Sequence, residues 1–294
     1  MSRRHFDSLA VLAILIIIVT SSCAHRSGGD SEASNALPTP DKAAETQTTT
    51  AKKILENNKE DKGDFIVEHS AVIRSHHFKI AQQIVDEKLL EKAADKLNRS
   101  LILPNDIYLR TKDCDGEVNA FYNADERSVN ICYELTEHFY NVFRRDGLND
   151  EKAFDKMFDA VRFALLHEIG HALIDVYNLP ISVNEEDAAD RCSAFINLTE
   201  LGEDGVNAVV AAAEAFSIES KNDSSNKRNL ADEHLLQEQR FYNSICLLYG
   251  SDAEKYGYML EENYLPRERA LRCPQEYERN VNSWSSLLAP WRKS

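Results

Sequence analysis

Two histidines and a glutamate in the segment His167-Glu168-Ile169-Gly170-His171 carry the strongest chemical signal in the chain. On a helix, residues four apart lie about 40° apart around the axis, so His167 and His171 project from one face. Two neutral imidazoles at that spacing can chelate one Zn²⁺. Glu168 lies beside them, where it can act as general base on a water that the metal activates. Zinc lowers the pKa of such a water to about 7. The H-E-x-x-H pattern arises by chance in roughly one chain in a hundred of this length, so its neighbourhood has to carry the argument.

A catalytic zinc needs a third protein ligand and one open position. Downstream, Asn184-Glu185-Glu186-Asp187-Ala188-Ala189-Asp190-Arg191 opens another helix. Acids at a helix start also complement the macrodipole and cap free N–H groups, which accounts for Asn184 and Glu185. It accounts poorly for Asp190, a full turn inside. Glu186 and Asp190 share a face, as a ligand and a supporting carboxylate would. The expected metal ligands are therefore His167, His171 and Glu186, for one Zn²⁺ per chain. Glu185 and Asp187 point about 100° to either side of Glu186 and are expected to be bystanders.

The elements that must position these residues can be read from hydrophobic spacing. The helix carrying the histidines is expected over 151–178. Ala160 and Ala164 on the metal face are small enough to let another element pass close, and Phe158, Val161, Leu165, Ile169 and Val176 form the core side. Upstream, Phe78 to Leu97 has the periodicity of one helix, ended by Pro104, and Ile107-Tyr108-Leu109 reads as a short strand. Val118 to Tyr122 and Ser128 to Tyr133 form a hairpin around Asn123-Ala124-Asp125-Glu126. Further helices are expected at 134–145, 184–199, 204–217, 232–249 and 266–282. A small antiparallel sheet followed by a mainly helical body is an α+β plan, in one domain over 65–294.

Ahead of that domain the chain changes character. Arg3 and Arg4 precede an apolar run from Leu9 to Val19, too short to cross a bilayer but suited to a signal peptide. Val19-Thr20-Ser21-Ser22-Cys23 resembles a bacterial lipobox, which implies residues 1–23 as a cleaved signal and a lipid anchor at Cys23. Cleavage after Ala24 is the rival reading. Ser2-Arg3-Arg4-His5-Phe6 looks like a twin-arginine motif, although Asp7 breaks it and the apolar core favours general secretion. Residues 24–64, poor in large apolar side chains, read as a disordered tether. The expected location is the bacterial cell envelope, or secreted if no lipid is attached.

With Cys23 set aside, five cysteines remain, none in a C-x-x-C arrangement. Proximity suggests Cys114–Cys132 and Cys246–Cys273 as disulfides, leaving Cys192 as a small buried residue. A net charge of −15 argues against a nucleic-acid partner. His5, His25, His69, His76, His77 and His138 show no partner pattern, and the pair His76-His77 is expected to be exposed at a helix start.

The segment from His167 to Asp175, together with Glu186-Asp187-Ala188-Ala189-Asp190, resembles the Glu-zincin branch of metallopeptidases, the group containing thermolysin. That resemblance implies a zincin-like fold, Glu186 as third ligand and Asp190 hydrogen-bonded to His167. The gap from His171 to Glu186 is shorter than in thermolysin. From about Phe65 onward the chain is similar to a bacterial metallopeptidase family named for its motif, without an assigned substrate. The marks are Asn119-Ala120-Phe121-Tyr122, Ile131-Cys132-Tyr133-Glu134-Leu135, Asp232-Glu233-His234, Gln239-Arg240-Phe241-Tyr242 and Tyr249-Gly250. The expected function is zinc-dependent hydrolysis of a protein or peptide, with Glu168 as general base. His234, Arg240 and Tyr242 are candidates to stabilise the oxyanion, His234 first. The strand Asn119 to Tyr122 could pair with an extended substrate. The alternatives are a non-catalytic zinc-binding envelope lipoprotein that binds a protein or cell-wall partner, and an amide hydrolase with a non-peptide substrate.

Overall fold

A computed structural model describes residues 59–70, 72, 74–182, 184–222 and 234–293. The expected signal peptide, the expected lipobox at Cys23 and nearly all of the expected tether lie outside the described residues. The last tether residues do contact the domain: Lys62 and Gly63 both donate to the Leu103 carbonyl, and Leu103 N–H donates to Asp61.

The sheet has four strands, β1 (Phe65–His69), β2 (Ile107–Lys112), β3 (Ala120–Asn123) and β4 (Ser128–Cys132), in the spatial order β1-β2-β4-β3. It is mixed rather than antiparallel. β1 pairs with β2 and β2 with β4 in parallel, and only the β3–β4 hairpin is antiparallel. The expectation fails twice. The chain passes from β2 to the far edge at β3 and returns through the hairpin, which leaves β4 parallel to β2. β1, five residues after a polar stretch, adds a second parallel neighbour of β2. A parallel neighbour requires a long crossover. Here the crossover holds α1 (Phe78–Glu87) and α2 (Leu89–Ser100), which the periodicity merged into one helix. Lys88 between them is left-handed (φ 52°), and the bend turns Ile84 and Leu90 both into the core. Every residue of β4 is buried, so the central strand lacks the alternation of a one-faced strand.

The helical body follows: α3 (Tyr133–Arg145), α4 (Asp150–Val176), α5 (Glu185–Glu200), α6 (Gly202–Asn222), α7 (Gln237–Ser251), the short α8 (Tyr258–Glu261) and α9 (Arg267–Ala270), and α10 (Cys273–Leu288). The helix expected over 266–282 is divided between α9 and α10. Disulfides join Cys114 to Cys132 and Cys246 to Cys273, and Cys192 is a buried free thiol, all as expected. Among the described residues, no helix is long and apolar enough to cross a membrane.

α4 is the axis of the domain. Asn149 caps it by accepting from Lys152 N–H, and over Leu165–Gly170 every residue is buried. It packs against α3, α5 and α6 and against β3 and β4. Over that buried stretch the helix is otherwise apolar, so His167, Glu168 and the adjoining, part-buried His171 are the exceptions to be explained. At Gly170 the α5 helix comes close. A Cβ there would stand 3.1 Å from both the Ala189 Cα and the Cys192 Cβ. Ala189 and Cys192 flank Asp190 and Arg191, so this contact sets how far the α5 carboxylates reach across α4. Replacing Gly170 by Val forces α5 outward. Overpacking of this kind costs about 1–3 kcal/mol, so the expected outcome is a melting temperature several degrees lower together with weakened metal binding. Wild-type metal affinity in that variant, measured by competition with a chelator, would refute the argument.

Candidate metal centre

α4 supplies His167, Glu168 and His171, and α5 supplies Glu185, Glu186 and Asp190. The α5 start is fixed by Asn184, whose side chain accepts from Glu186 N–H at 2.8 Å. His167 is buried. Its Nδ1 meets Asp190 Oδ1 at 2.8 Å, so Nε2 is turned toward Glu186 Oε2 at 3.1 Å. His171 repeats the pattern: Nδ1 meets Glu185 Oε1 at 2.8 Å, and Nε2 lies 3.2 Å from His167 Nε2 and 3.4 Å from Glu186 Oε1. A carboxylate on each Nδ1 leaves each Nε2 for the shared centre. Two such nitrogens and a carboxylate cannot face one another unless a proton or a cation lies between them. The residues fit one metal ion.

Glu168 stands beside this group without belonging to it. Its carboxylate is 3.9 Å from His167 Nε2 and accepts the Tyr122 backbone N–H. Burial pushes its pKa upward. For His167, burial acts to lower the pKa, but hydrogen bonds to Asp190 and Glu186 outweigh it and raise the value to about 9. Burial likewise acts to raise the Glu186 pKa, and contacts with His167, His171 and His234 hold it far below the usual carboxylate range. Three imidazoles around one carboxylate are a protonated stand-in for a metal-loaded centre, so ion binding must release protons.

Arg240 of α7 has a different place from the one expected. It donates from Nε and Nη2 to Asp190 at 2.8 and 2.7 Å, and its guanidinium lies 4.2 Å from the Phe216 ring centroid. Both side chains are largely buried. Committed to Asp190, Arg240 is a support for His167 and is not free to meet a substrate. Tyr242 borders a separate groove with Leu235, Gln239 and Pro266. Of the three oxyanion candidates only His234 lines the cleft, half-exposed, with Nε2 3.0 Å from Glu186 Oε2, a contact that raises its pKa. Glu185 is no bystander, because its carboxylate orients His171. Asp187 instead pairs with Arg191 at 2.7 Å. The Arg240 role was hidden because a residue fifty positions from Asp190 shows no spacing relation to it.

The centre opens into a cleft of about 570 Å³ lined by Asn119–Tyr122, Glu168, His171, Asn184–Glu186 and His234. β3 is the edge of the sheet and forms one wall. Tyr122 ties that wall to α4 by donating its hydroxyl to Asp175 at 2.8 Å.

A family model described as "Putative metallopeptidase" matches residues 69–288, which include both site helices, β3 and Arg240. The chain belongs to this family. Membership in a metallopeptidase family implies a metal ion and protein or peptide substrates. It agrees with the convergence of His167, His171 and Glu186. No curated protein and no solved structure matches the chain.

In this metallopeptidase fold, the Asp190–Arg240 pair should matter to the metal without touching it. Arg240→Met and Asp190→Asn are each expected to weaken metal binding by about 10–100-fold, the usual effect of removing a ligand's support. The double variant should be little worse than the more damaging single one, since both act on one network. Glu186→Ala should exceed either. Chelator-competition titrations read all four. An Arg240→Met chain that binds metal like wild type would detach Arg240 from the centre.

Proposed function

We propose that the chain is a zinc-dependent peptidase in which His167, His171 and Glu186 hold one Zn²⁺ and Glu168 moves the protons. The observation that carries this reading is the convergence of the donors. The two Nε2 atoms lie 3.2 Å apart, and each faces one oxygen of the Glu186 carboxylate, that of His167 facing Oε2 at 3.1 Å and that of His171 facing Oε1 at 3.4 Å. Separations of this size suit side chains that share one small ion, since zinc would bind imidazole nitrogen and carboxylate oxygen at about 2.0–2.2 Å. The three residues would hold the ion from the protein side, and the cleft opens beside them. When bound, the ion supplies Lewis acidity that lowers a water's pKa and polarises a carbonyl.

The chain's own groups supply the rest. Glu168 borders the cleft, where it takes the water's proton and then delivers it to the leaving amine. Its raised pKa suits both halves of that task. His234, made more basic by Glu186, offers an N–H to charge developing on the carbonyl oxygen. The unpaired side of β3 offers backbone groups to an extended peptide, with Phe121 and Tyr122 beside it. A non-catalytic metal protein would have no use for a buried, non-ligating glutamate at this position.

Zinc-loaded Glu168→Gln should keep about one ion at this centre yet lose at least a hundredfold in hydrolysis of a general protein substrate such as casein. Loss of the ion would make Glu168 a ligand. Unchanged hydrolysis would remove it from the mechanism.

We also propose export and lipid anchoring at Cys23, supported by the apolar run that Cys23 ends and by two disulfides, which persist in oxidising compartments. Cys23→Ser should shift the protein from the membrane fraction to a soluble or unprocessed form. An unmodified mature terminus at His25, found by mass spectrometry, would overturn the anchor.

A further inference from the structure

The turn that leads from β1 into α1 carries Arg74-Ser75-His76-His77, of which Ser75–His77 form one 3₁₀ turn. His76 is exposed, as adjacent polar residues at a helix start ordinarily are, but His77 is wholly buried. Its Nδ1 lies 2.6 Å from Asp113 Oδ1, and the Asp113 side chain is itself almost fully buried. Asp113 precedes Cys114, whose disulfide to Cys132 pins this loop to the start of α3. One turn into α3, Glu137 Oε2 stands 3.6 Å from His77 Nε2, and that buried nitrogen has no hydrogen-bond partner. The His76 ring lies alongside, its centroid 4.1 Å from that of His77. One ligand atom from each of His76, His77 and Glu137 falls within 4.8 Å of the others.

A buried ring nitrogen without a partner is uncommon and calls for an occupant. With Asp113 taking Nδ1–H, Nε2 presents a lone pair to a carboxylate, and a cation between the two resolves that opposition. The Arg74 guanidinium, on the same turn, is committed elsewhere, to Glu134 and Asp115. Carboxylate on Nδ1, free Nε2, and a second carboxylate across the gap is the pattern a metal-binding histidine takes. The same pattern recurs at Asp190, His167 and Glu186.

We propose that His76, His77 and Glu137 form a second metal site, sharing no residue with the first, that takes a zinc-class divalent ion and staples the β1–α1 turn to α3. Two imidazoles and one carboxylate favour such an ion over Ca²⁺ or Mg²⁺, which take oxygen ligands. The donors are more widely spaced than around bound zinc. His77 is fixed, while His76 and Glu137 reach solvent and are free to close on the ion. Asp113 is the positioning residue for His77.

The test is zinc stoichiometry of the full chain after zinc loading and dialysis, measured by elemental mass spectrometry. Wild type should hold two ions. His76→Ala and Glu137→Gln, both at solvent-accessible positions, should each hold one and keep wild-type hydrolysis. The His167→Ala/His171→Ala chain should keep one ion at the second site, and Asp113→Asn should weaken that site by about 10–100-fold. Thermal stability of the His167→Ala/His171→Ala chain should rise with Zn²⁺ but not with Mg²⁺ or Ca²⁺. Wild type saturating at one ion, with none in the His167→Ala/His171→Ala chain, would overturn the proposal and assign the gap to a proton on His77. That result would leave the first centre untouched, whereas a failure of the first centre would leave zinc in the His167→Ala/His171→Ala chain unchanged from wild type.

Discussion

Asp190 lies largely out of water with an imidazole on one oxygen and a guanidinium across both, and three helices are placed by that arrangement. A buried carboxylate is expensive to desolvate and is tolerated only when its partners are close and well aligned. His167 comes from α4, Asp190 from α5 and Arg240 from α7, so satisfying one charge fixes three elements relative to one another. The pair is weak evidence for stability, because apolar residues of equal size would cost less. Its effect is orientation: with Nδ1 held, His167 can present only Nε2 to the centre.

Close packing makes that geometry reachable. α4 and α5 approach at Gly170, where any side chain would meet Ala189 and Cys192. Across this contact a glutamate and an aspartate four residues apart on α5 both meet one histidine. The glycine thus lets Glu186 reach the shared centre while Asp190 passes behind it. The apolar remainder of α4, from Leu165 to Leu173, anchors the whole assembly in the core, so the polar groups inherit the rigidity of the packing around them.

The charge pattern follows from the same economy of space. Carboxylates outnumber cations in the protein as a whole, and at the centre they raise the basicity of every imidazole they touch. A site that holds protons so readily has a high local demand for positive charge, which a divalent ion meets better than separate protons do. The β3 edge and Tyr122 complete the surroundings by bringing a strand, and its backbone N–H groups, against the same helix face.

Local chemistry was legible in the sequence, because helix periodicity alone relates residues three or four apart. The pairing of His167 with His171, the shared face of Glu186 and Asp190, and the near bounds of α3, α4 and α5 are legible in that way, and both disulfides from the proximity of their cysteines along the chain. What depended on distant partners was not legible. The mixed sheet follows from a chain that crosses from β2 to the far edge before the hairpin returns, and from a short first strand whose parallel neighbour lies beyond two helices. The α1–α2 break follows from a left-handed Lys88 that periodicity passes over. Arg240 turned from a substrate-facing candidate into a support for Asp190, Glu185 from bystander into a support for His171, and His77 from an exposed histidine into a buried one. Each of these reversals has the same cause: which polar group is desolvated, and what then neutralises it, is decided by elements remote in the chain that only packing brings together.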